Sequence, residues 1–324
     1  MVINQKYPFI YDKKDSFLFE NSKLINHVKP KVKIRFFGLF DLYNYVEFSL
    51  LGFFSRIGIF SLQYLSLKDM RRIRLVSSGY LLTDQWSSNY FHWITEVVPK
   101  LLIVSKQRKA TIYIPDWLYN KQFVAFTLLN IPNINFQIIS RAYIYIYFSY
   151  RICDLGIKTG NYTPDLIGLT KQLFLKNYSI YPILKKHRRK RIYVYRHLKE
   201  KRGVINFSDI EPILYKFQIE VVDFSSMPLE QQINLMRNTD ILIGVHGAGL
   251  TNMIFMEPGK FIFELRKVGD SHNNCYFNLA NVLNHKYIYQ QCDVNFPNLE
   301  TQNCNFLVNE INFERNIQSI IDLL

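Results

Sequence analysis

The chain has 324 residues, 48% hydrophobic and 20% charged, which excludes a disordered chain and allows two domains of ordinary size. Lysine and arginine number 40 against 26 aspartates and glutamates, and the net charge of +14 favours polyanionic partners: nucleotide diphosphates, nucleic acid or an anionic membrane surface. The 4 cysteines form no Cys-x-x-Cys pair, which excludes a cysteine metal site and fits reduced thiols in a cytoplasmic protein.

Met1 to Lys6 lack the apolar core of a signal peptide. The most hydrophobic long stretch, Val46 to Leu67, is interrupted by Arg56 and Gln63 and broken by Gly52 and Gly58. It is too polar to span a bilayer, so any membrane contact is expected to be peripheral. Apolar runs then predict strands at 72–80, 110–114 and 134–148. A long helix is expected over 89–107, kinked at Pro99. Further helices are expected over 121–129 and from Pro164 to about Tyr178. A domain boundary is expected near Pro182, giving an N-terminal α/β domain at 1–182 and a C-terminal domain at 183–324.

Lys185 to Arg191 is a basic run beyond that boundary. Its simplest reading is a solvated loop, with a membrane-facing or substrate-facing role as the alternative. No base-stacking motif accompanies it, so no nucleic acid partner is expected. From there strands and helices alternate. Strands are predicted at 191–195, 220–223, 240–244, 261–265 and 286–289. Helices are predicted at 209–217, 229–238, 250–256, 273–283 and 310–324. Ser208 is the expected cap of the first helix, with Pro212 in its first turn. This alternation implies an α/β domain with a doubly wound parallel sheet.

Two segments carry chemistry. In Asn89-Tyr90-Phe91-His92-Trp93-Ile94-Thr95-Glu96-Val97-Val98-Pro99, helical spacing places His92 and Glu96 on one face. Such a pair can orient an imidazole as a general base; the alternative is a surface pair beside a core tryptophan. In Ile241 to Asn252, a buried strand runs through Gly244, His246, Gly247, Ala248 and Gly249 into a helix beginning near Leu250. Glycines allow a sharp turn and close backbone approach, and the helix N-terminus favours an anion, so a diphosphate pocket is expected. The segment misses the third glycine of a dinucleotide fingerprint. It also resembles the oxyanion loop of some esterases, but the chain contains no Gly-x-Ser-x-Gly elbow.

Together, the Asn-x-x-His-Trp-x-x-Glu-x-x-Pro and Gly-x-His-Gly-Ala-Gly-Leu-Thr-Asn patterns resemble glycosyltransferase family 61. The resemblance continues through Arg191–Arg196, Arg202, Asn206, Met227–Ile233 and Phe255–Leu265. It covers roughly 79–99 and 191–266 and does not reach the first 78 residues. It implies a GT-B-like fold, two Rossmann-like domains facing across a cleft, and an inverting transfer of a hexosyl or pentosyl group. Family members transfer xylose, arabinose or N-acetylglucosamine, and bacterial ones are commonly placed in capsule or surface-polysaccharide assembly. The richness in Ile, Lys and Asn suits a bacterial member.

The expected donor is a nucleotide-diphosphate sugar, UDP-linked, and the acceptor a glycan or lipid-linked glycan. The reaction is placed in the cytoplasm, at the inner face of the plasma membrane. No Asp-x-Asp pair is present, and Asp209-x-Glu211 reads as the acidic first turn of a helix, so no metal or other cofactor is expected. Arg196 and Arg202 are the expected diphosphate clamp, with N–H groups of Gly247, Ala248, Gly249 and Leu250. His246 is expected on a phosphate oxygen or the sugar, supported by Thr251 or Asn252, and Glu264 on a ribose hydroxyl. His92 is the first choice for the base and Glu96 the second, with Asn89 and Trp93 on the acceptor side. Two other classes stay open: a non-catalytic sugar-nucleotide or polysaccharide binder, and a basic peripheral membrane protein.

Overall fold

The computed structural model describes residues 2–5, 9–12, 17–20, 23–24, 73–76, 79–80, 82–83, 86–106, 110–139, 144–147, 150–153, 157, 159–178, 189–270 and 274–324. Strands before Tyr80, and those between 144 and 153, are described as backbone only. The apolar stretch 46–67, Pro182 and the basic residues 185–188 lie outside the described residues.

The chain forms two compact units, Met1–Ile157 and Lys158–Leu324. This division precedes the expected boundary at Pro182, and the helix Pro164–Tyr178 accounts for the difference. That helix is bound to the second unit: Lys171 Nζ donates to the Met256 carbonyl at 2.6 Å, and Phe174 packs edge-on against Phe255. Burial holds the Lys171 ammonium below the ordinary lysine range.

In the first unit the strands are β1 (Val2–Gln5), β2 (Phe9–Asp12), β3 (Phe17–Glu20), β4 (Lys23–Leu24) and β5 (Ile73–Val76). They continue with β6 (Gly79–Tyr80), β7 (Ala110–Pro115), β8 (Ile134–Ile139), β9 (Ile144–Tyr147) and β10 (Tyr150–Cys153). One sheet has the order β1-β10-β6-β7-β8 and the other β4-β3-β2-β9-β5. The run expected as one strand at 134–148 is therefore two strands in two sheets, and the run at 72–80 divides likewise. Apolar continuity alone does not mark where a chain leaves one sheet for another.

The second unit holds β11 (Lys190–Val194), β12 (Glu220–Val222), β13 (Thr239–Val245), β14 (Phe261–Lys267), β15 (Lys286–Val294) and β16 (Phe306–Leu307). Their order is β12-β11-β13-β14-β15-β16, parallel except for the antiparallel edge strand β16. The predicted parallel strands are all present; β16 was not expected. One face carries Ile241, Ile243, Phe261, Phe263, Leu265 and Cys292, packed on the helices Phe207–Lys216 and Glu310–Ile321. Alternation along the strands sends Leu242, Gly244, Ile262 and Glu264 to the opposite face. The first helix starts at Phe207, not after Ser208, and Pro212 lies inside it. Asn206 makes no side-chain cap there; its amide clasps both backbone groups of Val308, at 2.8 and 3.0 Å.

Chain order reverses between β11 and β13, so neighbouring connections leave in opposite directions and open a crevice at the carboxyl ends of these strands. Val194 pairs with Gly244 across that point. The segment after β13 is a 3₁₀ helix, Ala248–Phe255, where an α-helix from Leu250 was expected. It packs close to β11: a Cβ on Gly249 would sit 2.7 Å from Val194 Cγ1, and one on Gly244 would sit 3.3 Å from Val194 Cβ. Val194 is β-branched and stiff, so it cannot swing aside cheaply. Gly249→Ala should therefore destabilise by about 1–3 kcal/mol through overpacking, and adding Val194→Ala should recover part of the loss. Thermal denaturation of both variants checks this; an unchanged midpoint in Gly249→Ala would contradict the close packing.

Candidate functional site

The first unit carries the histidine helix. Asn89 caps it, accepting from the Phe91 N–H at 2.9 Å. Tyr90–His92 is α-helical, Trp93–Val97 a π turn, and Val98–Val104 α-helical again. The π turn lies just before Pro99, whose ring would strike the Thr95 carbonyl in a regular α-helix; widening the turn relieves that clash. Pro99 thus acts through a π turn, where a kink was expected.

His92 Nδ1 and Glu96 Oε1 are 2.7 Å apart, with the two side chains 21% and 10% exposed. Trp86, Phe91 and Glu96 surround the imidazole, the Trp86 ring at 5.9 Å and the Phe91 ring at 5.0 Å. The expected couple is therefore formed, with His92 reachable from solvent. Trp93 differs from its expected acceptor-side role. It is fully buried, and its indole N–H donates to Thr127 Oγ1 at 3.0 Å, so it is a core residue. The Asn89 oxygen is committed to the helix cap.

The second unit carries the glycine turn. Arg196 follows β11, and Arg202 follows a short 3₁₀ helix, Leu198–Glu200. Both guanidinium groups converge on Gly247: a Cβ there would lie 3.4 Å from Arg196 Nη1 and 3.5 Å from Arg202 Nη1. Arg202 Nη1 donates to the His246 carbonyl at 3.3 Å. The Nε groups of Arg196 and Arg202 are both buried without a hydrogen-bond partner in the protein. Burial, and then the like charge of Arg196, holds the Arg202 guanidinium below the ordinary arginine range. Glu200 Oε2 lies 3.9 Å from Arg196 Nε, an ion pair too long for a hydrogen bond, so the charge of Arg196 is partly offset while both buried Nε donors stay unmet, a cost that an added anion would relieve.

The backbone is forced to bring Arg202 there. Lys201 has φ 59° and ψ 164°, and Arg202 has φ 57°. The Lys201 conformation is close to one reserved for glycine, and strain of this kind collects at functional sites. The turn is pinned by Arg202 N–H to the Cys304 carbonyl at 2.7 Å and Gly203 N–H to Asn305 Oδ1 at 3.1 Å.

The N–H groups of Ala248 and Gly249 open the 3₁₀ helix and have no intrahelical acceptor by construction. Leu250 was expected to offer its N–H to the ligand, but it donates to the Gly247 carbonyl at 3.0 Å. Gly247 itself is extended, with φ 175°, so any residue could adopt its backbone. A Cβ there would only touch the two guanidinium groups at ordinary contact distance. Gly249, expected to meet the ligand, owes its bare Cα to Val194.

His246 is buried, and its Nδ1 shares a short hydrogen bond with Glu264 Oε1. The second carboxylate oxygen, Oε2, accepts from the Tyr287 hydroxyl. Glu264 is 1% exposed, so it is not placed for the ribose hydroxyl expected of it; it holds His246. Thr251 does not support His246 as expected, since its hydroxyl is buried without a hydrogen-bond partner, while the Asn252 amide donates to Gln232 Oε1 at 2.9 Å. The Tyr276 ring meets His246 edge-on at 4.9 Å, and its hydroxyl feels the charges of Glu264 and Arg202. Tyr276, Tyr287 and Gln232 were not singled out from the sequence. Tyr287 was legible in principle, as the diagonal cross-strand neighbour of Glu264, had the β14–β15 register been known.

The sequence model of the family described as Glycosyltransferase 61 matches residues 90–263, more than half of the chain, and so includes both histidine segments. Among individual proteins, the chain is 40% identical over 83 residues to an EGF domain-specific O-linked N-acetylglucosamine transferase of Drosophila melanogaster, covering 25% of this chain and 16% of that one. It is 34% identical over 104 residues to the protein of that name from Xenopus laevis, covering 30% and 19%. The Mus musculus protein is 39% identical over 74 residues, covering 22% and 14%. The matched segments thus span under a fifth of these relatives, all animal proteins. The family model spans both site segments and more than half of the chain, and the chain belongs to the glycosyltransferase 61 family.

Proposed function

We propose that the chain transfers a sugar from a UDP-linked donor to a hydroxyl acceptor, with inversion, the donor resting on the second unit and the base supplied by the first in a GT-B arrangement. The observation that carries this reading is the convergence of Arg196 and Arg202 on Gly247 at the reversal point of the sheet. Their unmet Nε donors, with the N–H groups of Ala248 and Gly249, match the oxygens of a diphosphate. N-acetylglucosamine is the first candidate sugar, because the named relatives are transferases of that sugar.

For the acceptor we infer a glycan or lipid-linked glycan hydroxyl in bacterial surface-polysaccharide synthesis, in keeping with the Ile, Lys and Asn content. The relatives' names favour a second reading, a hydroxyl on an EGF-like domain. A transfer assay with both acceptors separates the two. We place the reaction in the cytoplasm, with peripheral contact to an anionic membrane. The buried free thiols of Cys275, Cys292 and Cys304 suit that compartment.

In the proposed mechanism Glu96 accepts from His92 Nδ1–H, so the Nε2 lone pair takes the proton of the acceptor hydroxyl. The acceptor oxygen attacks the anomeric carbon from the face opposite the diphosphate, and the bond to the diphosphate oxygen breaks. The electron pair leaves with the nucleotide, and the two arginines stabilise the developing charge. In this reading no divalent cation is needed. Asp209 and Glu211 are exposed on the helix Phe207–Lys216, and among the described residues no three His, Cys, Asp or Glu side chains converge.

Three outcomes follow. Arg202→Ala should weaken UDP binding more than about tenfold, the span of a lost charge-assisted hydrogen bond. Calorimetry on the folded variant checks it, and unchanged affinity removes the clamp. Activity should survive excess EDTA; full loss restored by one divalent ion would mean the clamp is metallic. His92→Ala should lower kcat by about 10²–10⁴-fold with UDP affinity nearly intact, and Glu96→Gln should do less harm. If Glu96→Gln is the dead variant and His92→Ala turns over, the base is Glu96.

A further inference from the structure

The sheet of the second unit is open at its other end too. The amino ends of β11 and β12 lie side by side, and the last turn of the helix Phe207–Lys216 joins them. Together they form a groove of about 810 Å³, lined by Arg189, Lys190, Arg191, Tyr215, Lys216 and Glu220 among others. Arg191 Nη1 donates to the Phe217 carbonyl at 2.8 Å and so caps the end of that helix, a role that accounts for Arg191 alone. Lys190 meets Glu220 at 2.9 Å and Lys216 meets Glu314 at 2.6 Å, both pairs open to water. Arg189 reaches Asp240 Oδ1 at 3.3 Å, but Lys260 holds that same oxygen at 2.6 Å. Five cations thus stand with three carboxylates, and among the described residues no carboxylate meets Arg191. Tyr215, beside Lys216, is 86% exposed. In the sequence, Lys185, Lys186 and Arg188 lead directly into this end of β11.

We infer that this groove is where the chain meets an anionic bilayer, lipid phosphates seating among Arg189, Lys190 and Lys216 with the Tyr215 ring at headgroup level. The inference names the contact surface for the peripheral membrane reading given above and rests on that reading. Exposed ion pairs contribute little, so Lys190 and Lys216 can exchange a carboxylate for a lipid phosphate at small cost. An amphipathic ring set among long cationic side chains suits the boundary between headgroups and water. One aromatic ring gives successive bases no stacking platform, which disfavours a single-stranded nucleic acid. Arg196 and the glycine turn lie at the carboxyl ends of β11 and β13, and the five residues of β11 separate them from the groove by roughly 16 Å. A bilayer at the amino ends therefore leaves the candidate donor crevice uncovered.

The test uses the full chain, sedimented with vesicles of equal parts phosphatidylglycerol and phosphatidylcholine, or of phosphatidylcholine alone. Wild type should bind the anionic vesicles, release them at high salt and ignore the neutral ones. A variant combining Arg189→Gln, Lys190→Gln and Lys216→Gln should bind more than about tenfold less tightly, since each cation near such a surface adds about fivefold. Tyr215→Ser keeps every charge and should also weaken binding; unchanged affinity there overturns the placement of the ring. Both variants should keep the wild-type thermal midpoint and UDP affinity, because the altered side chains are exposed and lie away from the donor crevice. If wild type binds anionic vesicles and the triple variant binds them equally, the groove is not the contact and the peripheral reading survives without it. If wild type ignores anionic vesicles, both fall. Tighter binding to a DNA duplex than to vesicles, lost in the triple variant, would make the groove a nucleic-acid contact and overturn the proposal.

Discussion

Two like-charged guanidinium groups, partly or largely withdrawn from water and each with a buried donor unmet, are the constraint around which the second unit is arranged. Left alone such a pair repels and gains little from burial. Glu200, 3.9 Å from Arg196 Nε, offsets part of that repulsion, and in the proposed function the anion of the donor offsets the rest. The surroundings support that view. Lys201 and Arg202 take left-handed backbone conformations, and the edge segment around Cys304 to Phe306 exists in register to hold them. An isolated Val204–Phe306 bridge and the Asn206–Val308 clasp extend the same attachment. Residues about a hundred positions later in the chain thus fix where Arg202 points.

The glycines of the turn illustrate how one residue type serves different physical ends. A side chain at Gly249 would run into Val194 of the neighbouring strand, and one at Gly244 would be tight against the same residue. Gly247 has an ordinary extended backbone, and a Cβ there would meet both guanidinium groups only at ordinary contact distance. Glycine-rich motifs are commonly read as flexible or ligand-facing throughout. Here one position faces the candidate ligand site, and two allow the helix and strand to approach closely enough to create it.

Much of the second unit was legible because parallel strands buried on both faces appear as apolar runs separated by amphipathic helices. Ile241–Ile243 and Phe261–Leu265 are of this kind. What escaped were features set by tertiary contact. The two-residue strand β16 has no local signature, and an apolar run such as Ala248–Phe255 does not distinguish a 3₁₀ helix from an α-helix. Trp93 stood beside His92 in sequence and was read as acceptor-facing, whereas helical rotation turns it into the core toward Thr127. Glu264 was read as ligand-facing from its place at a strand end. Its partners lie one strand to either side, on β15 and just past β13, and only the register reveals them.

The chain holds two histidine–glutamate couples that share a hydrogen-bonding pattern and differ in burial. In each, a glutamate carboxylate faces Nδ1 of the imidazole. The His92–Glu96 couple is made within one helix and stays partly exposed, so a proton taken from an acceptor can pass on to water. The His246–Glu264 couple is made between strands, is nearly sealed, and sits one residue before the glycine that faces both arginines. A base must lose its proton after each turnover, which suits the first setting. A group that orients a phosphate or sugar must keep one geometry through the reaction, which suits the second. In the proposed function the same two residue types take different tasks according to solvent access, a distinction that the spacing of neither motif contains.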